Sequence, residues 1–307
     1  MFRYIVRRIL QMVLAFFGTT LLVYWLMFAA SGDPIAALAG ERPLSESTRL
    51  ALIREFHLDE PFLTQYAYYM KGLFTLDLGV NTSGRLIGDL VASAWPWTLR
   101  LALLAFLFVV VAGITLGMIA GTHRGGAFDN VTLLMTLVVI SIPVFVIGQV
   151  LALIGVRFDL FPTNVVGNYS VTALIVPALV LGSLSLATAV RLTRTSVTEN
   201  LRADYVRTAR AKGVKRGRVV GVHVLRNSLI PVITFLGVEL GSLMGGAIVT
   251  EKIFNIPGIG FQLYKAISIE DGPTVVTIVS LLVIVYLVMN LIVDILYGVL
   301  DPRIRYE

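Results

Sequence analysis

The sequence contains no cysteine in 307 residues. Disulfide frameworks, thiolate metal sites and cysteine nucleophiles are therefore excluded. Histidine is scarce: His57, His123 and His223 are far apart, and no two have metal-ligand spacing. No G-x4-G-K-[ST] phosphate loop is present, so the chain has no evident means of hydrolysing ATP. A nucleophile turn of the Ser-His-Asp type is missing, as are internal repeats and low-complexity tracts. Charge is also sparse, at 14% of residues against about 25% in soluble domains. Hydrophobic residues fill the space, at 57% of the chain, and mean hydropathy is +0.85. Several apolar runs approach or exceed the roughly 18 residues that suggest a membrane span.

Six such runs are predicted as helices: Ile9–Ala30, Leu99–Ala120, Val131–Val156, Val171–Val190, Pro231–Thr250 and Val275–Gly298. The first follows Arg3, Arg7 and Arg8 as a signal peptide would, and Ala29-Ala30-Ser31 could serve as a cleavage site. It exceeds the roughly 7–15 residues of a signal h-region, so it reads as a retained span. Pro143 and Pro177 interrupt the third and fourth runs and are expected to kink them. Pro231 opens the fifth, where proline suits a first helical turn. Trp25, Trp95 and Trp97 fall near span ends, as interfacial anchors do.

With the N-terminus placed in the cytoplasm, sixteen of the 25 lysines and arginines fall inside, although the outer segments are longer in total. This is the positive-inside bias, and it puts both termini of a multi-pass membrane protein in the cytoplasm. The net charge of +6 then belongs to the inner loops and is no nucleic-acid footprint.

Two segments are too large to be connectors. Residues 31–98 lie outside and alternate amphipathic stretches with breakers, which predicts a small helical cap. Its expected helices are Ser45–Phe56 and Pro61–Leu73, the latter with Tyr66, Tyr69 and Met70 on one side. The other segment, 191–230, lies inside and carries ten cations. Good helix formers run from Glu199 to Lys212, and Gly213 follows where a helix would close left-handed. A short second helix is expected from Arg216 to Arg226, with Ala209, Ala211, Val214, Val219, Val220 and Val222 turned inward. A basic loop of this composition could rest on anionic lipid, but its length, order and glycine hinge favour a protein partner.

Arg207-Thr208-Ala209-x3-Gly213, followed by His223-Val224-Leu225-Arg226, resembles the coupling motif of type I ABC importer permeases. That motif is usually Glu-Ala-Ala-x3-Gly-x9-Ile-x-Leu-Pro, and the departures here resemble the oligopeptide and dipeptide permease branch. Leu225 to Pro231, Phe254 to Gly260 and Asp301 to Tyr306 match the same branch, as do Gly32-Asp33-Pro34 and His57 to Pro61. The resemblance implies an all-α permease core of six transmembrane helices with a helical extracytoplasmic insertion after the first. Residues 1–98 would form the first helix and cap, 99–298 a five-helix core that includes the coupling loop 191–230, and 299–307 a cytoplasmic tail. It implies import of di- or oligopeptides, without catalytic residues, metal or cofactor in this chain. ATP and Mg would sit on two partner ATPase subunits. A second homologous permease and an extracytoplasmic peptide-binding protein would complete the complex. Nickel chelates, glutathione or oligosaccharides are alternative cargoes on the same architecture. A membrane enzyme or sensor, or an exporter, fits the motifs less well.

By that resemblance, Arg207, Thr208, Ala209, Lys212, Gly213, Val214, His223 and Leu225 would meet an ATPase. Phe254, Pro257, Gly258 and Gln262 would meet the binding protein. At membrane depth, ionisable residues are functional candidates. Glu239, Ser242, Gly246 and Thr250 form one stripe of the fifth span, a candidate translocation face. A structural hydrogen bond from Glu239 to a neighbouring helix is the competing expectation. Gly237, Gly241 and Gly245 form the opposite stripe, expected to pack closely on another helix. Asn290, Asp294, Tyr297 and Asp301 form a stripe on the sixth span, with Arg191 or Arg194 as the expected partner of Asp294.

Overall fold

A computed structural model of the chain describes residues 2–29, 57, 59–165 and 171–300, with isolated positions 46, 50 and 53. The expected helix Ser45–Phe56, the Gly32-Asp33-Pro34 and Asp301–Tyr306 matches, Leu58 and the end of the Asp294 stripe at Asp301 lie outside the described residues. Helix is the only regular structure among the described residues, apart from one isolated bridge between Val80 and Leu86.

Helix α1 covers Phe2–Phe28, α2 Phe62–Thr75, α3 Ile87–Thr122, α4 Ala127–Ser141 and α5 Val144–Phe158. A 3-10 turn at Val171–Leu174 leads into α6, Ile175–Asn200. Helix α7 is Asp204–Ala211, and the three-residue α8 is Arg216–Arg218. A π segment, Val219–Val224, joins α8 to α9, Leu225–Ile253. Helix α10 covers Ile259–Ser268 and α11 Gly272–Leu300. Five helical segments are each long and apolar enough to cross a membrane. The pair α4 and α5 makes a sixth if its two halves form one crossing.

That pair departs from the expected single kinked span. Its halves are bent by 99°. The cause is local: Pro143 has no N–H, and its ring forces Ile142 out of the helical region, to φ −104 and ψ 126. Pro177 produces no break, because it stands in the first turn of α6, where the N–H would be unbonded anyway. Pro231 is a second departure. It lies inside α9 and opens nothing, because helix continues without interruption from Arg216 through Ile253. The expected separation of a short loop helix from the fifth span is therefore corrected. The π segment absorbs one extra residue, with the Leu225 N–H bonded to the Val220 carbonyl five residues back.

The described residues fall into two compact units. One combines Met1–Thr98 with Pro257–Val288, and the other combines Leu99–Ile256 with Met289–Glu307. In the first, α2 lies on α1 and α11 through an aromatic cluster. Tyr66 Oη and Thr20 Oγ1 are 2.8 Å apart, and Tyr69 Oη donates to Ser280 Oγ at 2.6 Å. Met70 and Leu73 are buried against Phe16, Leu281 and Leu287. Burial pushes the Tyr69 hydroxyl well above the ordinary tyrosine range. Asp271, ahead of α11, accepts from Thr274 Oγ1 at 2.7 Å and from the Thr82 N–H at 3.4 Å, so it also holds the 81–85 turn.

In the second unit, α3 and α6 meet along a seam of small residues. A Cβ added to Gly113 would stand 2.8 Å from Ala189 Cβ. At Gly117 and Gly121 the corresponding contacts are Thr193 Cβ at 2.5 Å and Val197 Cβ at 2.8 Å. Glycine every fourth residue lets the two backbones approach as no other side chain would. Of the glycines expected to pack in the fifth span, a Cβ added to Gly237 would stand 2.8 Å from Val293 Cγ1, whereas one added to Gly245 would meet nothing within 4 Å. The close-packing expectation therefore holds at one end of that stripe and fails at the other.

Candidate functional site

The basic segment is built on the end of α6. That helix passes the expected end at Val190 and continues to Asn200, with Arg191, Arg194 and Glu199 on the added turns. The chain then turns over Leu201–Ala203, and α7 starts with Ala203 extended ahead of it, at φ −64 and ψ 150. The expected single helix from Glu199 to Lys212 is thus broken at residues 201–203. Lys212 closes α7, and Gly213 follows at φ +76. A left-handed glycine here reverses the chain without the strain that a Cβ would bring.

A small apolar core holds the two arms of this turn to the spans. Val197, Val206, Ala209, Val219 and Val224 are buried together, with Met118, Leu201 and Val214 packed against them. Ala209 and Val214 are therefore internal supports of the segment. Ala211 and Val222, expected inside, are exposed. The π segment rotates the second arm, so Val219 and Val224 take the buried positions. Arg207, Thr208, Lys212 and Gly213 are exposed, and His223 and Leu225 are half-buried. Thr208 Oγ1 donates back to the Asp204 carbonyl at 3.0 Å. Arg207 lies 3.7 Å from Asp204, both side chains open to solvent, and such a pair contributes little to stability. The Arg207 guanidinium and the Lys212 ammonium are exposed to solvent. Beside the turn is a concavity of about 900 Å³, lined by Thr122, His123, Leu201, Arg210, Arg216 and Val220, among others.

Glu239 is half-buried in α9, and its Oε1 accepts from Ser185 Oγ of α6 at 2.5 Å. This is the interhelical bond that competed with a transport role. Ser242, one turn on, is exposed; Thr250 is buried; Gly246 lies in the same helix. The expected partnership of Arg194 with Asp294 is not formed. Arg194 instead holds Asp129 of α4 through two bonds, Nε to Oδ1 at 2.9 Å and Nη2 to Oδ2 at 2.7 Å. The sequence reading had not singled out Asp129. Its position three residues into a helix, behind Gly125-Gly126, was the available signal.

The segment after α9 corrects a further expectation. Phe254 is fully buried, and its carbonyl accepts from the Val165 N–H at 3.3 Å. Its ring is a core group and offers no surface to another protein. Gly258 is buried too, while Pro257 and Gln262 stay partly exposed. Helix α10 follows, its first N–H, at Ile259, bonded to Thr98 Oγ1 at 2.8 Å. Gln262, Arg85, Asp89 and Lys265 line a cavity of about 710 Å³ above α10. Among the described residues no group of three or more histidine, aspartate or glutamate side chains could hold a metal ion.

The sequence of residues 113–306 matches the family described as binding-protein-dependent transport system inner membrane component. Residues 1–84 match that family's N-terminal region. The chain belongs to this family. The permease is also similar along its whole length to curated relatives. It is 37% identical over 338 positions to the dipeptide transport system permease protein DppB of Escherichia coli (strain K12), with both chains fully covered. Against the di/tripeptide transport system permease protein DppB of Pseudomonas aeruginosa (strain UCBPP-PA14) the identity is 37% over 335 positions, again with full coverage. The glutathione transport system permease protein GsiC of Escherichia coli (strain K12) is 35% identical over 310 positions, also in full. The permease is thus a multi-pass inner membrane component of an importer-type system that depends on a binding protein, and it carries no ATPase site of its own.

Proposed function

We propose that this permease moves di- and oligopeptides inward across the membrane, driven by ATP hydrolysis on two partner subunits that hold ATP and Mg. The observation that carries the cargo is the full-length 37% identity to a dipeptide permease and to a di/tripeptide permease. A second homologous permease completes the path, and an extracytoplasmic peptide-binding protein delivers the cargo. Both termini and the segment 191–230 lie in the cytoplasm, supported by the concentration of lysine and arginine there. Residues 31–98 form the extracytoplasmic insertion, 99–298 the permease core and 299–307 the tail.

The exposed Arg207, Thr208, Lys212 and Gly213 present the segment to an ATPase, while Ala209, Val214, His223 and Leu225 shape it. Their arrangement as two helical arms on a spanning helix supports this role, since a displaced arm carries its span. Glu239, Ser242 and Gly246 border the path, and Pro257 and Gln262 face the binding protein.

Uptake of a labelled dipeptide into proteoliposomes tests the reading, using the permease with its second subunit, ATPases and binding protein. ATP-dependent uptake that unlabelled di- and tripeptides compete away is expected. The glutathione relatives at 35% identity favour a second reading, the tripeptide glutathione. Competition by glutathione alone, with dipeptides inert, would replace the first reading by the second.

A further inference from the structure

The Arg194–Asp129 pair has no role in anything described so far, yet it is the most constrained polar contact near the basic segment. Asp129 is 1% exposed and the Arg194 side chain 19%. The two bonds between them are a planar fork on a carboxylate, the geometry in which arginine and carboxylate fix one another's orientation. Asp129 Oδ2 also accepts from the Gly125 N–H at 2.8 Å, and Gly125 has φ +78. One carboxylate therefore closes the turn between α3 and α4 and ties that turn to α6.

Arg194 stands one turn before Val197, which belongs to the apolar core under the basic segment. On another side of α6 the glycine seam holds α3 with no room for adjustment at Gly117 and Gly121. Thr198 Oγ1 donates to the Arg194 carbonyl at 2.8 Å and lies 3.5 Å from the Gly121 carbonyl. The basic segment, the end of α6 and the end of α3 are thus joined by close apolar packing. The start of α4 is joined to them by the ion pair. Beyond Ser141, α4 ends in the sharp bend to α5. A displacement of the segment that carries α6 reaches α4 as a directional pull through Arg194 and Asp129. A slack contact would lose it.

We infer that Arg194 and Asp129 are positioning residues that make α4 follow α6 when the basic segment is displaced, and so couple ATP hydrolysis to opening of the path. This rests on the proposal that the segment docks on an ATPase. The alternative is a pair that serves folding alone.

The test uses the assembled complex in liposomes and reads peptide imported per ATP hydrolysed. The chain lacks cysteine, so Ala211→Cys, at an exposed position of the segment, gives a single cross-linking site for the ATPase. Asp129→Asn and Arg194→Gln each orphan a buried polar partner and can impair folding. The deciding variant is therefore the double substitution Asp129→Leu with Arg194→Met, which removes both charges and leaves neither unpaired. It is expected to assemble, to keep the Ala211→Cys cross-link and basal ATP hydrolysis, and to import at least tenfold less peptide per ATP. Arg194→Lys keeps the charge but not the fork, and is expected to fall between the double variant and the unaltered protein. Unchanged import per ATP in an assembled double variant overturns the inference. Loss of the single variants to misfolding, with normal coupling in the double variant, does the same. Absence of the Ala211→Cys cross-link in the otherwise unaltered complex overturns the docking proposal instead, whatever the pair does.

Discussion

Gly117 of α3 lies so near Thr193 of α6 that a single added carbon would stand 2.5 Å from Thr193 Cβ and 2.7 Å from the Val190 carbonyl oxygen. One of these neighbours is backbone and cannot rotate away. Gly117→Ala is therefore expected to force the helices apart, at about 1–3 kcal/mol. Gly245 has open space around it, and Gly245→Ala should be neutral or slightly stabilising, since alanine is the better helix former. Thermal unfolding of the detergent-solubilised chain, followed by loss of the monodisperse peak, separates the two. Equal effects would mean that the seam does not hold the spans.

Gly213 has φ +76 and nothing within 4 Å of an added Cβ. Space is thus no obstacle, and the conformation alone resists substitution, by about 1–2 kcal/mol for a non-glycine residue. Gly213→Val should leave membrane insertion intact and abolish ATP hydrolysis stimulated by the binding protein. Gly213→Asn, which tolerates the left-handed region better, should retain part of it. Normal stimulation in the valine variant would leave the segment as a lipid-facing anchor.

Phe254 and Gln262 should respond in opposite ways. Phe254 is fully buried, and Phe254→Ala should destabilise the chain by about 3–5 kcal/mol, as truncation of a core phenylalanine does. Its effect on transport should track the amount of folded protein. Gln262 is half-buried at the edge of a cavity, and Gln262→Ala should preserve folding while weakening capture of the binding protein, measured by surface-immobilised complex. A Phe254→Ala protein with full stability would return that ring to the contact surface.

Glu239 accepts its bond from Ser185, and glutamine can accept the same bond. Glu239→Gln should therefore assemble normally. If the carboxylate borders the path, uptake of cationic dipeptides should fall about tenfold relative to anionic ones, an effect of about 1.4 kcal/mol. Ser185→Ala should leave that ratio unchanged. A uniform loss across peptide charges, in step with loss of assembled complex, would make Glu239 structural only.

Much of the architecture was legible in the chain. Apolar runs about as long as a bilayer is thick have few alternatives, because an unbonded backbone in hydrocarbon is too costly. The Gly213 turn was legible for a local reason: after a run of helix formers, only a glycine reverses the chain cheaply. The Tyr66, Tyr69 and Met70 face of α2 followed from its spacing. Proline was less readable. Pro143 breaks a span by 99°, while Pro231 leaves a helix intact, so the same residue type gives both results and its presence in the chain does not say which. The glycine pattern misled as well. In the fifth span Gly237 meets a close neighbour and Gly245 does not, whereas Gly113, Gly117 and Gly121, at the same spacing in the second, are all tightly faced.

Pairing was beyond the sequence. Arg194 had two carboxylates it could serve, Asp294 and Asp129, and spacing along the chain does not say which helix lies beside which. The family resemblance puts the Phe254 ring at a contact surface, and its burial reverses that. Sequence by itself determined the apolar spans, the left-handed hinge and the concentration of positive charge, since each depends on neighbours within a few residues or on total apolar length. Tertiary structure alone decided the Arg194–Asp129 bond, the Ser185–Glu239 bond and the depth of Phe254, since each depends on contacts between segments far apart in the chain.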